Sequence, residues 1–410
     1  MMNKIFYRMG PGVIFAANAV GVSHLVQSTR SGAGYGLALA GIILMVTIIK
    51  YPLFRFACLY SAASGKTLLE GYRSEGPFAA ALLIISVAID MFIATAAVSL
   101  VTAGIVKNIF ALDVSNITVV ATLIGLVFIL LMASGYHLFE KLVIGMVVLF
   151  TFLTLVAAGM AVPTAVTESS QLFPELNWSP AFLLFLIAMA GWMPNPPSAS
   201  FFLSAWSAKR KHELKERYTR NAAMFDFNLG YTLTIIIAMA FVLLGAVLLF
   251  LNGIKAEANS SVEFAGVLMR LFTDSYGRWA IPVVGGAAII VMFSTMLTLF
   301  DGAPRVMRQV IGKDENDKKV FMILFIVQAT GVLLIIQFFG TSFTSFINFA
   351  TSISFATAPF IAIFNHRAII SKDIPENCRP GPLLRYWSIA AILILLLVGG
   401  YYFSYQFGLI

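Results

Sequence analysis

The sequence predicts an all-α membrane protein of about eleven membrane-spanning helices, and three observations carry that expectation. First, 60% of the 410 residues are hydrophobic and only 11% are charged, with a mean hydropathy of +0.90. A soluble domain carries about 25% charged residues, so lipid must be the solvent for most of this chain. Second, the apolar runs are long and continuous, unlike the alternating strands of a lipid-facing barrel. Third, Lys and Arg gather in the short connections between the runs, which is how a membrane protein encodes its orientation. The 36 Phe and 31 Gly fit the same environment, rings facing acyl chains and small residues letting helices approach.

A hydrocarbon core of about 30 Å needs about 20 apolar residues in a helix. Such runs lie near 11–29, 36–62, 77–105, 116–133, 138–163, 179–206, 222–251, 278–302, 320–338, 342–366 and 385–406. The opening Met1–Gly10 lacks the small-residue cleavage site of a signal peptide, so the first run is expected to stay as a span. With the N-terminus cytoplasmic, 20 Lys and Arg fall inside, 5 outside, and Lys50 and Arg55 lie within the second span. That split sets the N-terminus in and the C-terminus out across a plasma (inner) membrane. The net charge of +8 is therefore topology and not a nucleic-acid footprint. Cys58 and Cys378 fall toward the cytoplasmic side, where a disulfide is not expected. The longest connections, about 252–277 outside and 207–221 inside, are too short to fold alone, which leaves 1–410 as a single transmembrane domain.

Two spans look interrupted. The first reads Ala19-Val20-Gly21-Val22-Ser23-His24 at its middle; the sixth reads Gly191-Trp192-Met193-Pro194-Asn195-Pro196-Pro197. Three prolines remove three backbone donors, and in lipid such a break persists only where protein or a cavity covers it. Transporters built from two inverted five-helix repeats place their site between interrupted helices at corresponding positions. That pattern predicts repeats at 11–163 and 179–366 with 385–406 added, on the spacing of the breaks alone. Two ordinary helix kinks are the competing explanation.

Several motifs resemble the NRAMP family of divalent-metal transporters. Gly10-Pro11-Gly12-Val13-Ile14, Ser31-Gly32-Ala33-Gly34-Tyr35-Gly36 and Ala63-Ser64-Gly65-Lys66-Thr67-Leu68 resemble its first two helices. Met193-Pro194, with Ala190 three residues before, resembles its helix 6 motif. Phe355-Ala356-Thr357-Ala358-Pro359 and Asn365-His366-Arg367 resemble the end of its helix 10. The resemblance implies the LeuT-type fold and metal uptake coupled to protons. It also locates departures. The family's helix 1 Asp-Pro-Gly-Asn, whose Asp and Asn are metal ligands, aligns with Gly21, Val22, Ser23 and His24. Its Met-Pro-His becomes Met193-Pro194-Asn195, and Asp90 lies one position from the family's helix 3 Glu.

The expected substrate-binding positions are Gly21, Ser23, His24, Ala190, Met193, Asn195 and Asn348. His24 and Met193 form the expected metal pair across the two breaks, nitrogen and sulfur suiting Mn²⁺ or Fe²⁺ better than Mg²⁺. Packing of His24 on a carbonyl of the loosened turn is the alternative. An ionisable group at the bilayer midplane is a functional candidate by default, so His24 and Asp90 are assigned to a proton pathway; a salt bridge is the other option for Asp90. Lys50 is expected to snorkel to the inner surface. Asp301, near Arg305 and Arg308, reads as a gate or topology charge, and Lys209–Arg217 reads as a cytoplasmic loop. No P-loop, HExxH, paired CxxC or nucleophile elbow occurs, which argues against ATP-driven transport and common enzyme chemistry. The expected function is proton-linked uptake of a divalent cation (Mn, Fe or Mg). A neutral or anionic small solute on the same fold, or a non-transporting membrane sensor, are the alternatives. No cofactor is expected beyond the transported ion, and the partners are that ion or solute and the bilayer, with no nucleic acid.

Overall fold

The computed structural model describes residues 10–133, 136–254, 260–277, 281–313, 317–339 and 343–406, and the elements among them are all helical. The chain begins with α1 (Pro11–Ala19), a π-helical turn (Ser23–Ser28) and α2 (Thr29–Tyr35), followed by α3 (Ala40–Ser64) and the short α4 (Leu68–Glu75). Next come α5 (Pro77–Ile89), joined through a π turn at Asp90–Ala94 to α6 (Thr95–Phe110), then α7 (Asn116–Ala133) and α8 (Tyr136–Thr167). The second half holds α9 (Pro180–Trp192), α10 (Ala199–Leu214), α11 (Arg220–Leu244) with a π extension to Phe250, and α12 (Ser261–Tyr276). The chain continues with α13 (Ile281–Val310), α14 (Lys318–Phe339), α15 (Phe343–Ile370) and α16 (Pro382–Gln406).

Among the described residues, nine helices are long and apolar enough to cross a membrane. The expected spans that miss that count are the first and sixth, because each is divided into shorter pieces. Other boundaries shift for local reasons. The second span starts at Ala40, not 36, because Gly36 adopts a left-handed φ of 56° and Leu37 N–H turns onto the Leu172 carbonyl at 2.7 Å. The expected loop 252–277 contains α12, whose N-terminus is capped by the Ser260 hydroxyl accepting from Glu263 N–H at 3.1 Å.

The first span lies along α11, and glycines set how closely. A Cβ on Gly230 would come within 1.9 Å of the Gly12 carbonyl, and one on Gly32 within 2.2 Å of the Val242 carbonyl. Backbones in contact at both ends replace the hydrophobic drive that lipid cannot supply between helices. The Asp226 carboxylate on α11 accepts from Gly10 N–H at 2.8 Å and Gly12 N–H at 2.6 Å, so it closes the N-terminus of α1. On the outside of the bundle, Phe152, Phe338 and Leu397 expose 63%, 70% and 75% of their surface, the apolar coat that faces acyl chains.

The basic end of the bundle is tied by ion pairs. Lys66 meets Asp373 at 2.8 Å, Arg367 meets Glu75 at 2.5 Å, and Arg305 meets Asp301 at 2.5 Å. Asp301, expected as a gate or topology charge, also accepts from Trp206 Nε1 at 3.0 Å. The hydrogen bond from Lys66 holds the Asp373 carboxyl below the usual carboxylate range. Cys58 and Cys378 are both free thiols.

Candidate functional site

The sixth span breaks as its prolines require. α9 ends at Trp192, Met193 is extended, the Met193–Pro194 bond is cis, and helix resumes only at Ala199. Trp192 Nε1 donates to Ser354 Oγ at 2.9 Å and ties the end of α9 to α15. Stopping a helix leaves its last carbonyls without intrahelical donors, and in an apolar bundle another group must satisfy them. Lys50 does so. Its Nζ donates to the carbonyls of Ala190 at 2.5 Å, Gly191 at 2.9 Å and Asn195 at 3.4 Å, and the residue has no exposed surface. The expectation that Lys50 snorkels is thus overturned: the carbonyls at the negative end of a half-helix are a better sink for an ammonium than a distant headgroup.

The other half-helix meets a carboxyl group. Ser198, at the start of α10, donates to Asp90 Oδ2 at 2.5 Å, while Asp90 Oδ1 is buried with no hydrogen-bond partner. Asp90 opens the π turn of the third span, and such turns reshape a helix locally to aim a side chain. An amine and a carboxyl group from two other spans therefore sit at the two helix ends that flank the break.

The first span is loosened, not unwound. Val20 and Gly21 form a turn, Leu25 N–H still reaches the Gly21 carbonyl at 3.0 Å, and Ser23–Ser28 widens into a π turn. Non-helical backbone across 20–24 was the expectation; without proline every donor is retained, so the interruption stays within two residues. Ser23 bonds the Ala19 carbonyl and lies 3.4 Å from that of Pro194, which places the two interruptions side by side.

The expected His24–Met193 pair does not form. His24 Nε2 sits 2.8 Å from the Thr234 carbonyl, and Nδ1 is 2.5 Å from the Ala19 carbonyl and 2.8 Å from Ser23 Oγ. Both ring nitrogens are engaged, so neither is presented to the break. Met193 packs with Ile43, Met189, Ala238 and Val242, its sulfur 3.9 Å from Ser28 Oγ. At Gly21, where the resemblance puts the family's Asp, a Cβ would lie 2.7 Å from Thr295 Cγ2. The Thr295 side chain fills the space that an Asp there would need.

Asn195 does face the first span. Its Oδ1 accepts from Asn18 Nδ2 at 2.9 Å, its Nδ2 donates to the Phe15 carbonyl at 2.9 Å, and Thr298 donates to Asn18 Oδ1 at 3.2 Å. A void of about 20 Å³ between Asn18, Ser23, Trp192 and Thr295 has room for about one water. Asn348 is elsewhere. It accepts from Arg30 at 2.9 Å on the wall of a cavity of about 960 Å³, shared with Tyr35, Phe182 and Phe185 near residues 174–179. Ala190 contributes its carbonyl, on Lys50.

Sequence reading missed Asn18, Thr295 and Thr298 and placed Lys50 at the inner surface instead of at the break. For Lys50 a signal existed: a lysine in mid-span must find acceptors, and three prolines in another span guarantee unpaired carbonyls. Among the described residues no group of three or more His, Cys, Asp or Glu is placed to hold a metal.

Comparison with known proteins adds the lineage. A sequence profile described as natural resistance-associated macrophage protein-like matches residues 12–404. The chain belongs to the Nramp family. An uncharacterised protein of Pasteurella multocida is 30% identical over 380 residues, spanning 90% of this chain and 86% of that one. A protein named divalent metal cation transporter MntH, from Mesorhizobium japonicum, is 22% identical over 65% of this chain and 61% of its own length. Among solved structures, a point mutant of an Eremococcus coleocola manganese transporter superposes with a TM-score of 0.71 at 16% identity, covering 99% of this chain and 87% of that one. MhsT in complex with L-phenylalanine gives 0.62 at 15% identity, covering 95% and 98%. These superpositions show the fold. In this Nramp chain the sixth span is broken, and of the two positions where the resemblance puts helix 1 ligands Gly21 has no side chain and His24 bonds within the protein.

Proposed function

We propose that this Nramp-family chain is a secondary-active transporter that carries a divalent metal cation through the break in the sixth span, linked to proton movement. Family membership and the relatives named as divalent-metal and manganese transporters support the cargo class. One observation carries the reading to this chain: main-chain carbonyls of Ala190, Gly191 and Asn195 converge on a single buried cationic nitrogen. A place that holds an ammonium on carbonyl oxygens is built for positive charge. Its donors are oxygens, with the Asn195 and Asn18 carboxamides beside them, so Mn²⁺ and Mg²⁺ rank above softer ions. The proton pathway runs through Asp90, whose Oδ1 takes no hydrogen bond. Lys and Arg placement supports a cytoplasmic N-terminus in the plasma membrane, with 11–163 and 179–366 as the two halves that move about the break.

Reconstituted in liposomes with a pH-sensitive dye inside, the protein is expected to give saturable Mn²⁺ or Mg²⁺ flux accompanied by a pH change. Flux no greater than in protein-free vesicles overturns this reading. A second reading, the same fold carrying a neutral or anionic solute, is favoured by the Lys50 charge standing where a cation would sit. It predicts no divalent-metal binding at millimolar concentration.

A further inference from the structure

We infer that the cavity at the start of α9 is a binding site for a small organic carboxylate with an apolar body, held by the Arg30 guanidinium against aromatic walls. The site is distinct from the break in the sixth span and stands whichever cargo that break carries. Its place follows from the chain. Leu37 N–H donates to the Leu172 carbonyl, so the segment leading into α9 lies at the Ala40 end of α3, while Lys66 and its ion pair lie beyond the other end of that helix. The lining runs along α9 from Ala181 to Ala188, about 10 Å at 1.5 Å per residue, and Trp192 and the break follow one turn later. The volume of about 960 Å³ falls in the range of small-molecule sites, about 300–1,000 Å³.

The cavity offers one buried charge and several rings. Arg30 on α2 is buried, and its Nη1 donates to the carboxamide oxygens of Asn348 at 2.9 Å and Gln27 at 3.3 Å. A carboxamide oxygen fixes a guanidinium in place without cancelling its charge. The Phe185 ring centre lies 5.3 Å from the guanidinium carbon, and Tyr35 packs on Phe182 and Phe185 with ring centres 4.9 and 5.3 Å apart. Among the described residues, Glu175 is the other charged group on the wall. It is exposed, where water screens it, while Arg30 acts from among low-dielectric rings.

These features select the chemistry of the ligand. A carboxylate oxygen takes the position that Asn348 Oδ1 holds on Arg30, and a charged acceptor there forms a stronger hydrogen bond than a neutral one. One negative charge matches one guanidinium, whereas a phosphate dianion leaves a charge uncompensated between apolar walls. An apolar body behind the carboxylate gains by covering the rings. A bare metal cation is repelled by the same guanidinium.

The test is titration calorimetry of the purified full chain, in nanodiscs of zwitterionic lipid, with phenylacetate and with its neutral isostere phenylacetamide. Wild type is expected to bind phenylacetate at least about tenfold more tightly than phenylacetamide. Arg30→Gln keeps a hydrogen-bonding head and removes the charge, so the preference should vanish. Asn348→Asp supplies a carboxylate to Arg30 from within the protein, so the preference should vanish there too. Because it adds an ion pair, this second variant decides the question even where Arg30→Gln loses its size-exclusion profile. Equal binding of the two compounds by wild type, no phenylacetate binding at millimolar concentration, or a preference retained in either variant overturns the inference. So does inorganic phosphate displacing phenylacetate at equal concentration, which makes this a phosphate site. Loss of phenylacetate binding in nanodiscs that contain phosphatidylglycerol overturns it as well, by giving the guanidinium to a lipid headgroup.

Discussion

Replacing Asp226 by Ala is expected to destabilise the protein by about 2–6 kcal/mol, because it strands two buried donors that cost about 1–3 kcal/mol each. Those donors are the Gly10 and Gly12 N–H groups at the start of α1, and Asp226 is fully buried. The glycine contact between α1 and α11 brings the carboxylate there. Asp226→Asn keeps one acceptor oxygen and should cost about half as much. Thermal unfolding in detergent checks both, and an unchanged melting temperature for Asp226→Ala would contradict this role.

The second large effect is a gain. Gly21→Asp restores a carboxylate at the position that the family resemblance gives to a metal ligand, yet alone it should weaken the protein, since its Cβ meets Thr295. Combined with Thr295→Ala it should raise Mn²⁺ affinity about a hundredfold, about 2.7 kcal/mol. A divalent ion and a carboxylate about 4 Å apart attract by about 8 kcal/mol at an effective dielectric of about 20, and desolvation of both offsets most of that. Calorimetry on the two single variants and the double variant forms a cycle. Additive effects would show that Thr295 does not close the position.

Much of the fold was legible because lipid imposes simple rules. The seventh helix, 116–133, matches its apolar run, and the break at 193–197 follows from prolines that remove donors whatever the surroundings. The first span was less legible. Gly21 and the β-branched Val20 and Val22 lower helix propensity but keep every N–H, so packing on α11 holds the span nearly helical. α12 was missed although Ser260 and Glu263 carry its capping signature, because amphipathic helices give a weaker signal than apolar runs. The site was the least legible part. His24 looked like a ligand because of its depth, but the carbonyls that engage it, Ala19 and Thr234, belong to its own helix and a distant one. Lys50 looked like a snorkelling residue because snorkelling considers only the nearest water, and its true acceptors lie 140 or more positions away in sequence. Tertiary pairing of this kind cannot be read from local periodicity.

The most direct measurement is anomalous X-ray scattering from crystals equilibrated with Mn²⁺. The account predicts one manganese peak about 2.0–2.6 Å from carbonyl oxygens at the break in the sixth span, among Ala190, Gly191 and Asn195. A peak bound instead between His24 and Met193, or no manganese peak at the break, would contradict it.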